Sequence, residues 1–203
     1  MIFWENDDMC TLHYYRNNKR NTKIHTDAIA QEWNSNPDGS ALLFVRKHPA
    51  TGILYAAELI QSLDLAVTLR YLQQTDAYSV FVHLRGATTA TTGLPGCHGF
   101  HSPFGDYTVF HNGVIPNPDG YRVDSIRIGE FLEGEVFGTK EPLNRVFIPW
   151  YFCNLLIWDN VENQGYAHAS QSGNLFKHPT HGISTKSLGT GWNKLSPGWY
   201  PLQ

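Results

Sequence analysis

Apolar and β-branched residues alternate with polar ones in short runs along most of the chain, and helical spacing takes over in a few places. Residues 10–15 (Cys-Thr-Leu-His-Tyr-Tyr) combine β-formers with aromatics and predict a strand. A polar, basic stretch at 16–23 reads as a loop, and 27–33 as a short helix. Asn34-Ser-Asn-Pro-Asp-Gly39 is a dense turn cluster. Residues 41–46 and 53–57 predict a strand pair around His48-Pro-Ala-Thr-Gly52. Between 58 and 74, Leu59, Ile60, Leu63, Val67 and Tyr71 share one helical face and predict an amphipathic helix packed on a sheet. Strands are expected at 79–84 and 107–115, and a helix at 125–132 with Asp124 as its N-cap. Residues 147–158 and 165–168 read as strands, with a helix left open for the first. Beyond Gly173 the chain is rich in Gly, Pro, His and Trp, and is expected to lie irregularly over a sheet. This order predicts an α+β fold of antiparallel sheets covered by helices.

Composition narrows the function classes. At 203 residues the chain suits one domain, taken as 10–203 with residues 1–9 as an N-terminal extension. A hydrophobic fraction of 41% and an aromatic fraction of 13% argue for a packed core. The formal net charge of −3 gives no basic face for nucleic acid. The longest apolar run, 146–158, is broken by Pro149 and Asn154 and falls short of the ~20 residues of a membrane span. The N-terminus has no basic region followed by an apolar stretch, so no secretory signal is read. Three cysteines, Cys10, Cys97 and Cys153, do not form a disulfide framework. A reduced, cytoplasmic protein is expected.

The chemistry-bearing residues cluster at expected strand ends and at one helix start. Arg85, Asn112-Gly113 and Asp124 together suit a small amino acid, gripped by its carboxylate, its side-chain carbonyl and its ammonium. Cys10 supplies a nucleophile. Each residue alone has an ordinary reading: an ion-paired Arg85, a hairpin turn at Asn112-Gly113, a helix cap at Asp124 and a small buried Cys10. Cys97, His98, His101 and His111 are loosely compatible with zinc.

Taken in order, the blocks resemble a known family. Phe81-Val-His-Leu-Arg-Gly-Ala-Thr88, Gly96-Cys-His-Gly-Phe100, Val109-Phe-His-Asn-Gly-Val-Ile115 and Asp124-Ser125, with Asn36-Pro-Asp-Gly39 upstream, resemble the glutaminase domain of class II glutamine amidotransferases. These belong to the N-terminal-nucleophile hydrolases. The resemblance implies a four-layer αββα sandwich in which Cys10 attacks the glutamine carboxamide to give a thioester and ammonia. It implies that Arg85 pairs with the substrate carboxylate, Thr88 adds a hydrogen bond to it, and Asp124 takes the ammonium. The Asn112 side-chain amide and the Gly113 N–H would form the oxyanion hole. Neither a cofactor nor a metal is implied, because the family accounts for the Cys97–His101 loop without zinc. The chain departs from the pattern at Thr11 and Val123, where Gly and Ser are usual. Gly99 also stands where Pro follows the loop histidine, although His101-Ser-Pro-Phe104 offers a shifted version of that loop.

The family's general base is the free α-amine of the cysteine, and here nine residues precede Cys10. Three arrangements answer this. Translation starts at Met9 and the methionine is removed; residues 1–9 are cleaved as a propeptide; or the fold is kept without catalysis, as a regulatory or viral accessory factor. The adjacency of Met9 to Cys10 favours the first. The expected substrate is glutamine or a γ-glutamyl compound. Since the chain has no room for a synthase, a separate synthase partner or a different amide substrate is expected.

Overall fold

The computed structural model describes residues 10–86, 99–113, 124–139 and 153–202, with side chains between 124 and 139 described for 126–133. Strand β1 (Thr11–Arg16) forms where the sequence predicts it. It alternates Leu12 and Tyr14 on one face with His13 and Tyr15 on the other. Next comes α1 (Lys19–Glu32), which includes much of the expected loop and begins well before residue 27. Asn18 caps it by accepting from the Asn21 N–H at 2.9 Å. The buried stripe of α1 contains Asn21, His25, Thr26 and Glu32 beside Ala28 and Ile29, so a helical face is present but four of its six residues are polar.

Strands β2 (Ser40–Lys47) and β3 (Leu54–Ser62) form the expected pair, but β3 runs further than predicted. Leu59 faces one core and Ile60 the other, an alternation that places them on a strand rather than a helix. The helix α2 starts only at Leu65 and ends at Gln74, because the Asp64 carboxylate accepts from the N–H groups of Ala66 and Val67. The expected single helix over 58–74 is therefore a strand end and a helix joined at a cap. Strand β4 (Ser79–Leu84) matches its predicted bounds.

The rest of the chain builds mainly a second sheet. Short β5 (Phe100–His101) pairs with β6 (Tyr107–Asn112), followed by α3 (Asp124–Thr139), β7 (Asn154–Asp159) and β8 (Gln164–Ala169). Helix α3 begins at Asp124, the expected cap, and outruns its predicted end at 132. The residues 114–115 and 147–152, expected in strands, lie outside the described residues. The tail is not irregular. It supplies β9 (Phe176–His178), β10 (Gly182–Ser184), β11 (Asn193–Lys194) and β12 (Gly198–Leu202). All pairings among the described residues are antiparallel. One sheet has the order β11-β9-β10-β1-β4-β2-β3 and the other β12-β8-β7-β6-β5. The fold is α+β.

Three cores follow from strand alternation. Leu12, Leu43, Phe81, Phe110, Leu156, Trp158 and Leu202 meet between the sheets. Leu42, Val80, Val82 and Leu84 pack with Ile29 of α1 and Leu72 of α2 outside the first sheet. Val109, Leu155 and Ile157 pack with Ile128 and Leu132 of α3 outside the second. Among the described residues no helix is long and apolar enough to cross a membrane.

The junction of β10 with β1 depends on Gly182, whose φ is +119° and whose added Cβ would sit 2.0 Å from the Tyr14 carbonyl oxygen. Both the left-handed backbone and this contact oppose a side chain. Gly182→Ala is expected to cost about 2 kcal/mol in chemical denaturation.

Candidate functional site

Two sheet ends meet at one end of the sandwich. Thr11 pairs with Leu84, so Cys10 and Arg85 follow as neighbours at the ends of β1 and β4. The Cys10 thiol donates to the Gly86 carbonyl at 3.6 Å, and its side chain is 6% exposed. Strand alternation puts Cys10 in phase with Leu12 and Tyr14, towards the inter-sheet space. Thr11 takes the opposite face, with His13.

Arg85 is 2% exposed and held by its backbone on both sides. Its N–H donates to the Gly39 carbonyl at 2.8 Å, and its carbonyl accepts from the Asp38 N–H at 3.1 Å. The Asn36-Pro-Asp-Gly39 turn is thus the brace of Arg85. The turn is itself tied to the end of α1, since the backbone and side-chain N–H groups of buried Asn36 both donate to the Glu32 carbonyl.

The second sheet brings Asn112 and Gly113 to the same end. The Phe81 ring stacks on Phe110 with centroids 6.0 Å apart, and further along His83 lies against His111. Strands β4 and β6 therefore run in the same sense across the interface, and Arg85 and Asn112-Gly113 follow together. Asn112 pairs with Asn154 at the start of β7, so it closes the β6–β7 ladder. Gly113 has φ +133°, a conformation that favours glycine.

The His83 imidazole, between Arg85 and β6, is fully buried. Desolvation drives its pKa well below the ordinary value, and the charges of His111 and Arg85 push in the same direction. A neutral ring keeps a second positive charge away from Arg85. Behind β1, His13 hydrogen-bonds Glu32 through Nε2 at 3.0 Å and His25 through Nδ1 at 3.1 Å, and His25 Nε2 donates to the His181 carbonyl at 2.8 Å. Burial and the neighbouring His13 lower the His25 pKa to about 3. Burial opposes ionisation of Glu32, but the charge and hydrogen bond of His13 outweigh it and lower the Glu32 pKa. Sequence reading assigned no role to His13, His25, Glu32 or Asn154.

The remaining expectations divide. Thr88, Cys97 and His98 lie outside the described residues, as does Val123. Asp124 opens α3, which packs on β5 and β6, and its side chain is outside the described set. The His101–Phe104 segment does not replace the family's loop at this end. It forms the tight turn into β6, where the Ser102 N–H donates to the Tyr107 carbonyl and the Ser102 hydroxyl accepts from the Tyr107 N–H. That places it at the start of β6, about 17 Å of strand from Asn112. Among the described residues no group of three or more His, Cys, Asp or Glu side chains is arranged to hold a metal ion. No protein-family model matches the chain, and no curated protein matches it.

Proposed function

We propose that the protein is a class II glutamine amidotransferase-like hydrolase, working as a chain that begins at Cys10. The single observation that carries this reading is the convergence of Cys10, Arg85 and Asn112-Gly113 at one end of two stacked sheets. The packing of α1 and α2 on one sheet and α3 on the other supports the four-layer αββα sandwich of N-terminal-nucleophile hydrolases.

In the proposed reaction the Cys10 α-amine takes the thiol proton, and the sulfur attacks the side-chain carbonyl carbon of glutamine or a γ-glutamyl compound. The Asn112 amide and the Gly113 N–H receive the developing oxyanion. The carbon–nitrogen bond breaks, the amine returns its proton to the leaving group, and ammonia departs. Water then cleaves the thioester to give the carboxylic acid. An α-amine with pKa about 7.7–8.0 is suited to this shuttle, whereas a peptide nitrogen is not basic. Arg85 grips the substrate carboxylate through its bidentate fork, with Thr88 beside it, and Asp124 takes the ammonium.

The test measures ammonia release from glutamine by two forms, one beginning at Cys10 and one retaining residues 1–9. Turnover by the first and none by the second is expected. If both fold and both are inert, the chain is instead a non-catalytic interaction protein on this fold. Arg85→Lys keeps the charge but loses the fork, and is expected to raise KM by roughly 10–100-fold, measured in the same assay.

A further inference from the structure

We propose that Asn154 is a positioning residue, clamping the two sheets so that the Asn112-Gly113 donors face Cys10; this rests on the amidohydrolase reading. Cys10 and Arg85 stand on one sheet and Asn112-Gly113 on the other. The separation of nucleophile and oxyanion donors is therefore an inter-sheet distance, and neither sheet's own hydrogen bonds set it. Core packing sets the spacing along the sandwich, and a connection at this end fixes it locally.

Asn154 is the first residue of β7 and the ladder partner of Asn112. Leu156 and Trp158 lie in the inter-sheet core, so alternation turns Asn154 to the same side, as it does Asn112 beyond Phe110. The Asn154 side chain is buried at 1% exposure, where an unsatisfied amide would be costly. Both of its ends are used on one segment: Oδ1 accepts from the Ser170 N–H at 2.9 Å, and Nδ2 donates to the Asn174 carbonyl at 3.1 Å.

That segment, 170–174, is the crossing between the sheets. It leaves β8 after Ala169 and enters β9 at Phe176, and both Ala169 and Leu175 are in the inter-sheet core. Strand pairing places its two ends beside the sheet ends that carry the site. His168 pairs with Leu155, and Phe176 pairs with Ser184 next to β1. The clamp is tight, since the Gly173 N–H donates to Ser170 Oγ at 2.8 Å. A Cβ on Gly173 would lie 2.4 Å from both Asn154 Nδ2 and Ser170 Oγ. Asn154 thus ties the end of β6 to the segment that spans towards the nucleophile's sheet.

The experiment compares Asn154→Ala with the parent in the form that begins at Cys10, using two readouts. Ammonia release from glutamine needs the oxyanion donors, whereas alkylation of Cys10 by iodoacetamide does not. Release is expected to fall about 10²-fold, the effect of losing a donor, while the alkylation rate stays within about twofold. Gly173→Ala strains the same clamp without touching Asn154 and is expected to show the same split; if Asn154→Ala does not fold, it decides the question. Turnover within about threefold of the parent, or turnover and alkylation falling together, overturns the positioning role. A parent that releases no ammonia and is not labelled by a glutamine-like electrophile overturns the amidohydrolase reading itself.

Discussion

Cys10→Ala is expected to lower ammonia release from glutamine by at least about 10³-fold while glutamine still binds, because Arg85 is untouched. The comparison separates two roles for a buried thiol. If Cys10 only fills space beneath Gly86, alanine removes little more than a weak sulfur contact and leaves every ligand measurement unchanged. If it is the nucleophile, binding survives without turnover. Calorimetry with glutamine on the Cys10→Ala chain, beside an ammonia assay on the parent, reads both. Loss of binding together with turnover would point to a damaged pocket rather than a missing nucleophile.

Acid is expected to unfold the protein through its buried neutral histidines. His25 has a folded pKa of about 3 against an ordinary 6.5, so between those values the unfolded chain binds more protons. Stability from this residue is present above about pH 6.5 and is lost as the pH falls towards 3, at up to ~1.4 kcal/mol per pH unit. Moving from pH 7 to 4.5 removes about 2.5 kcal/mol through His25 alone. Buried His83 and half-buried His168 are shifted in the same direction and add to the loss. Glu32, with its pKa lowered, begins to contribute only as the pH falls through about 4.5, again favouring unfolding in acid. Urea denaturation across this range checks the slope. His25→Gln keeps a hydrogen-bonding side chain that does not titrate and should flatten the curve; an unchanged slope would contradict the assignment.

Local pattern disclosed the elements whose buried faces are apolar. β4 is the clearest, because Val80, Phe81, Val82 and Leu84 fill both faces of a central strand. The beginning of α1 is not legible in the sequence because its buried stripe includes Asn21 and His25, which bond to Thr180 and His181 far along the chain. The β3–α2 boundary was blurred because Leu59, Ile60, Leu63, Val67 and Tyr71 fit a helical wheel, while the Asp64 cap that divides them is a single residue. The tail read as irregular because its strands are short and are stabilised by pairing with β1 and β8 rather than by their own composition.

Cys10, Arg85 and Asn112-Gly113 are legible as candidates because ordered motifs carry them, and the fold brings the strand ends that bear them together. The Asn36-Pro-Asp-Gly39 motif is legible too, although its contact with Arg85 through the Gly39 carbonyl is not, and no short motif encodes the reach of Asn154 to Ser170 and Asn174. His101-Ser-Pro-Phe104 lies at the β5–β6 turn, at the end of β6 away from Asn112, a placement set by strand pairing and not by the motif.

The most direct measurement is peptide mapping of the mature protein after incubation with 6-diazo-5-oxo-L-norleucine, a glutamine-like electrophile. The adduct is expected on the sulfur of Cys10 in a peptide whose first residue is Cys10 with a free amine. Turnover of glutamine by a chain in which residues 1–9 remain attached, or labelling confined to another residue, would contradict the account.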